Sequence, residues 1–154
     1  DHANLAGSGG APSVATLGAA RAAMRTQVEA SGGSALNITP RYIIVPAALE
    51  TSAQQLMESV VDPTATKGHA ANPVANMAQV IVDARLDAIS TAAWYLAADP
   101  NAFDTVEVAF LDGVDEPYLE EKTAWSTDGV ELKVRLDAGV KALDHRGLYK
   151  NPGQ

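Results

Sequence analysis

The chain has 154 residues, enough for one compact core and too few to require two. Hydrophobic residues make up 47% and aromatics only 5%, which argues against gross disorder and for a core of small aliphatics anchored on Trp94 and Trp125. A net charge of −8 with no run of Lys and Arg disfavours a partner bound by phosphate neutralisation, so no sequence-specific nucleic-acid contact is expected. The absence of cysteine excludes disulfides, thiolate zinc sites and cysteine nucleophiles, and fits a reducing compartment.

No window approaches the roughly 20 apolar residues of a membrane span, and no signal peptide is visible. The first residue is Asp1 and not Met, so upstream sequence is expected before it.

Residues 1–12, rich in Gly, Ala and Ser, read as a flexible lead-in, and 13–154 as a single α+β domain. Val14, Leu17, Met24 and Val28 share one face of a predicted helix over 13–30, capped by Ser13 or Thr16 and closed by Gly32–Gly33. Tyr42–Val45 is an apolar run that reads as a buried strand. Pro46 then opens a second helix over 47–60, with Leu49, Ala53, Leu56, Met57 and Val60 as its stripe. Residues 62–76 form a long loop with two prolines, a glycine and Asn72 and Asn76. Strands are predicted at 79–82, 91–97 and 105–111, with turns at Asp99–Asn101 and Asp112–Gly113.

From Val130 to Ala142 every second residue is apolar, and the residues between include Glu131, Lys133, Arg135, Asp137 and Lys141. This period of two predicts either one rib of roughly 45 Å or two strands bent near Gly139, with the apolar face packed internally. The tail from Asp144 is polar and is expected to be irregular. The order of helix, strand, helix and many strands indicates α+β, with a mixed sheet and flanking helices.

Motifs of chemistry are weak. His2, His69 and His145 lack metal-ligand spacing and read as surface histidines, so neither a metal nor a cofactor is expected. The acidic loop at 112–116 lacks the ligand order of a calcium loop. No GxSxG or phosphate-loop pattern occurs. The carboxylate pairs Glu120–Glu121, Asp83 with Asp87, and Asp137 with Asp144 read as a solvated acidic surface rather than a catalytic dyad.

The stretch Leu36–Glu50, with Pro40, the run Tyr42–Val45, Pro46 and Leu49–Glu50, resembles a segment of Mu-like phage major head subunits. Asn72–Pro73, Trp94–Ala97, Val106–Gly113, Lys133–Arg135 and Asp144–Asn151 resemble later parts of the same proteins, in the same order. Together these phrases cover roughly three quarters of the chain.

The resemblance implies the Hong Kong phage capsid fold. The chain would be a C-terminal fragment carrying the axial domain, about 36–125, and peripheral strands, about 130–143. It implies a structural, non-enzymatic head subunit of a tailed phage or prophage, assembled in the bacterial cytoplasm into the virion capsid. Its partners would be its own copies in pentamers and hexamers, with scaffold and portal proteins beside them. On that reading Glu131, Lys133, Arg135 and Asp137 offer alternating charge to a neighbouring copy, and His69 and Trp125 complete the candidate interface. The competing reading is a small α+β ligand-binding module or hydrolase with the loop 62–76 at its mouth.

Overall fold

In the computed structural model, residues 2–65, 70–126 and 128–154 are described. The chain forms two compact units, Asp1–Thr105 with Asp144–Gln154, and Val106–Leu143.

The first unit is an α+β layer pair. Helix α1 (Val14–Arg25) starts in a reciprocal cap: the Thr16 N–H donates to Ser13 Oγ at 3.2 Å and the Ser13 N–H to Thr16 Oγ1 at 2.9 Å. It stops about five residues before the predicted end. The Thr26 hydroxyl donates to the Ala22 carbonyl, and the Leu36 N–H donates to the Gln27 carbonyl at 2.8 Å. That second bond, with the bridge between Val28 and Ala35, draws 27–36 into a small hairpin around Gly32, whose φ is +71°. Strand β1 (Pro40–Val45) follows, then a 3₁₀ turn at Ala47–Leu49 leading into α2 (Glu50–Glu58).

Strand β2 (Gln79–Val82) pairs parallel to β1, so α2 is the crossover of a βαβ unit. A 3₁₀ turn, Ala84–Ala88, leads towards β3 (Trp94–Ala98), which pairs antiparallel with β1. The unit's last strand is at Leu148–Asn151, antiparallel to β3. The tail expected to be irregular thus supplies an edge of the sheet, because its backbone groups complete the ladder on β3.

The core follows from alternation. Ile43, Leu96 and Tyr149 stand opposite one another across three strands and point to the helical side. Leu17, Ala20 and Met24 of α1 and Ala53, Leu56 and Met57 of α2 close over them, with Trp94 fully buried in the same cluster. The many alanines keep the helices close to the sheet.

The opening segment is not a loose lead-in. The Ala6 N–H donates to the Lys150 carbonyl at 2.9 Å, and the Lys150 N–H to the Asn4 carbonyl at 2.8 Å. The Trp94 indole N–H donates to the Gly10 carbonyl at 2.9 Å, and Asn151 Oδ1 accepts from the Gly10 N–H at 3.0 Å. Gly9 is required by contact: a Cβ there would lie 1.9 Å from the Gly153 carbonyl oxygen.

The second unit contains β4 (Val106–Phe110), β5 (Tyr118–Thr123), β6 (Val130–Arg135) and β7 (Ala138–Ala142), which makes Leu148–Asn151 strand β8. The first sheet therefore runs β2-β1-β3-β8, while among the described residues β4 pairs only with β7 and β5 only with β6. The long alternation is two strands, broken at Leu136–Asp137 and not at Gly139. Gly139 sits inside β7 opposite Ala109.

Candidate subunit interface

Register decides which side chains share a face of the second unit. In the β5–β6 ribbon, Leu119 stands opposite Val134, Glu121 opposite Leu132, and Thr123 opposite Val130. The other face pairs Tyr118 with Arg135, Glu120 with Lys133, and Lys122 with Glu131. In the β4–β7 ribbon, Val106, Val108 and Phe110 oppose Ala142, Val140 and Ala138, while Glu107 opposes Lys141. Each ribbon is therefore amphipathic, with one mainly apolar face and one that is charged or small.

The apolar faces are open. Leu132 and Val134 are 67% and 66% exposed, and Val140 is 70% exposed. This corrects the expectation that the face of Val130–Ala142 packs internally. The four strands pair two by two, so neither ribbon gains a third strand from the described chain, and these side chains stay in water.

The charged face is largely self-satisfied. Lys133 Nζ lies 3.1 Å from Glu120 Oε2, and Arg135 Nε lies 3.3 Å from Asp137 Oδ2. Both pairs are well exposed and hold geometry more than they add stability. Glu131, Lys133 and Arg135 thus share one face of the ribbon, with Asp137 just past its end, and three of the four are engaged in ion pairs within their own chain. Trp125 lies in the connection between β5 and β6 and is fully exposed. His69 lies outside the described residues.

What the sequence reading missed is the apolar set contributed by the partner strands, Leu119, Val106 and Val108. The signal for Val106 and Val108 was their spacing of two. For Leu119 it was hidden by Glu120, Glu121 and Lys122.

The carboxylates offered as possible dyads are occupied otherwise. Asp83 is bonded by the Arg85 guanidinium, which lowers its pKa to about 2, the opposite of what a general acid requires. Asp87 accepts from the Ala47 and Ala48 N–H groups at 2.9 and 3.3 Å and so caps the turn before α2. Among the described residues there is no group of three or more His, Asp or Glu placed to hold a metal ion. The His2 and His145 rings lie against each other, tilted by 38°, with centroids 3.7 Å apart. The ribbon unit carries a pocket of about 130 Å³ beside Leu111–Asp112 and Leu136–Asp137, and wider hollows of about 520 Å³ along Ala109–Leu111 and Leu136–Gly139 and about 470 Å³ over Glu120, Lys122 and Glu131–Lys133, all open to solvent. No described helix is long and apolar enough to cross a membrane.

Asp144 is held by Arg146, whose Nε donates to both carboxylate oxygens at 3.0 and 2.9 Å and whose Nη2 also donates to it. Arg146 Nη1 reaches the Val28 carbonyl at 3.3 Å, and its guanidinium lies over the Phe103 ring. The bond to Arg146 lowers the Asp144 pKa to about 2. A lowered carboxylate pKa gives stability that is present above the ordinary value near 4 and is lost as pH falls towards 2. Asp144→Asn is expected to cost about 1–2 kcal/mol at neutral pH, allowing for solvent screening. Urea melts should show that gap closing between about pH 4 and pH 2.

Contiguous apolar side chains left in water mark a surface that meets another molecule. A family model described as phage capsid protein matches residues 1–151, and the chain belongs to that family. It is therefore a structural protein of the virion capsid, carried on a capsid-type α+β domain. No curated protein and no solved structure matches it.

Proposed function

We propose that this chain is the C-terminal portion of a major head subunit of the Mu-like type. In this reading it assembles with its own copies into the icosahedral shell that encloses the genome of a tailed phage or prophage. The observation that carries the reading is the family match, which runs over nearly the whole chain. The head-subunit phrases in the sequence support the finer assignment, since they lie in order on β1, α2, β3, β4 and β8.

The two units divide the work in this reading. The first has its own buried core and supplies the axial part of the capsomer. The second is the peripheral part, whose ribbons carry its contacts, with Trp125 beside them and Glu131, Lys133, Arg135 and Asp137 kept to the side that stays in water. The role is architectural, without catalysis. Assembly takes place in the bacterial cytoplasm beside scaffold and portal proteins. Repetition of modest contacts over many copies holds the shell.

Expression of the whole open reading frame in bacteria tests this. Electron microscopy is expected to show shells, tubes or rings of five and six subunits. A dispersed monomer whose melting temperature rises with a small ligand would contradict the proposal and favour a binding module.

A further inference from the structure

The ribbon unit has the charge pattern of a solvated surface on one side and the composition of a core on the other. Thirteen of the twenty exposed large apolar side chains among the described residues lie between Val106 and Leu143. An isolated two-stranded ribbon is marginal in water, and needs a further layer on its apolar face. Something must therefore cover this one.

We propose that the apolar face of the ribbons, centred on Leu119, Leu132 and Val134 in one and Val108 and Val140 in the other, docks on a second copy of this chain. The inference rests on the shell-subunit reading, which makes copies of the chain its most abundant neighbours.

Area supports the assignment. At roughly 70–100 Å² for each exposed Leu or Val, the β5–β6 face offers on the order of 300–400 Å² and the β4–β7 face on the order of 200–300 Å², which together approach the ~800 Å² that one partner gives a stable interface. Charge supports it as well. The opposite face already pairs Lys133 with Glu120 and sets Glu107 across from Lys141, so it can remain in water when the apolar face is covered. Glu121, within the apolar face, then lies where a cation of the neighbour can meet it.

The absence of cysteine makes the test clean. Leu132→Cys and Val140→Cys, made in the whole polypeptide and labelled with a benzophenone maleimide, place a photo-cross-linker on the proposed contact. Lys133→Cys places it on the opposite face. Protein labelled with ¹⁴N is co-assembled with protein labelled with ¹⁵N, illuminated and digested.

The proposal expects cross-linked peptide pairs of mixed isotope from positions 132 and 140, several-fold above those from position 133. Cross-links confined to a single chain, cross-links to another virion or host protein, or equal yields from both faces would overturn it. Electron microscopy of the same samples separates the two ideas. Particles with only intrachain cross-links sink the docking contact and leave the shell reading standing, whereas no particles at all sinks both. Leu132→Asp should raise the concentration needed for particle formation at least tenfold, and no change there would also count against the contact.

Discussion

Trp94→Ala is expected to lower the stability of the sheet unit by about 3–5 kcal/mol, enough to leave much of the chain unfolded at 37 °C. Trp94 is the largest fully buried side chain and sits at the start of β3, packed in the cluster shared by both helices and the sheet. Its removal opens a cavity that alanine-rich helices cannot fill. Its indole N–H also holds the Gly10 carbonyl, so the loss reaches the opening segment. Trp94→Phe separates the two contributions. It keeps most of the bulk and should cost about 1–2 kcal/mol through the unpaired carbonyl and the smaller ring. Limited proteolysis should then cut residues 2–10 sooner while the core still melts cooperatively. Equal resistance of that segment in both proteins would show that the hydrogen bond does not hold it.

Asn72→Ala is expected to cost roughly 2–4 kcal/mol, a large effect for a residue in a loop. The side chain is buried and uses both ends. Its Nδ2 donates to the Leu56 carbonyl at 2.7 Å and the Ser59 carbonyl at 2.9 Å, and its Oδ1 accepts from the Val74 N–H at 3.0 Å. It therefore terminates α2 and fixes the approach to Val74, another fully buried residue. Alanine leaves two carbonyls and one N–H without that partner. Asn72→Asp is the informative companion. At neutral pH it sets a carboxylate against two carbonyl oxygens and should be at least as damaging. Acidification should restore part of the loss, because the introduced carboxyl group can donate again once protonated. Denaturant melts at pH 7 and pH 4.5 measure this. An Asn72→Asp protein no less stable than the parent at pH 7 would contradict the bonding described.

The elements with a strong local signal were legible from residues alone. Leu17 and Met24 marked the buried face of α1, Leu56 and Met57 that of α2, and the runs at 42–45 and 79–82 became β1 and β2. The α+β class followed from their order. What could not be read depended on distant partners. Tyr118–Thr123 carries Glu120, Glu121 and Lys122, poor strand formers by themselves, and becomes β5 because Val130–Arg135 pairs with it. Leu148–Asn151 is too short and polar to signal a strand, and is one because β3 offers it an open edge.

Composition misled at the opening segment. Its glycines suggested freedom, whereas Gly9 is glycine because the Gly153 carbonyl leaves no room for a Cβ. The candidate interface was legible in part. The alternation at 130–142 identified an amphipathic strand region, but periodicity cannot say whether an apolar face meets its own core or the solvent. The charged residues drew notice first, and the structure engages Lys133 and Arg135 with partners of their own chain.

The central claim is that this chain completes the core of its sheet unit alone and leaves that of its ribbons to be completed by association. Hydrogen exchange followed by mass spectrometry, on dispersed protein and on assembled particles, measures this segment by segment. Amides of β1 and β3 should be protected in both states, and those of β5, β6 and β7 should exchange quickly when dispersed and slow at least tenfold on assembly. Ribbon amides as protected in the dispersed chain as those of β3, with no change in particles, would contradict the account.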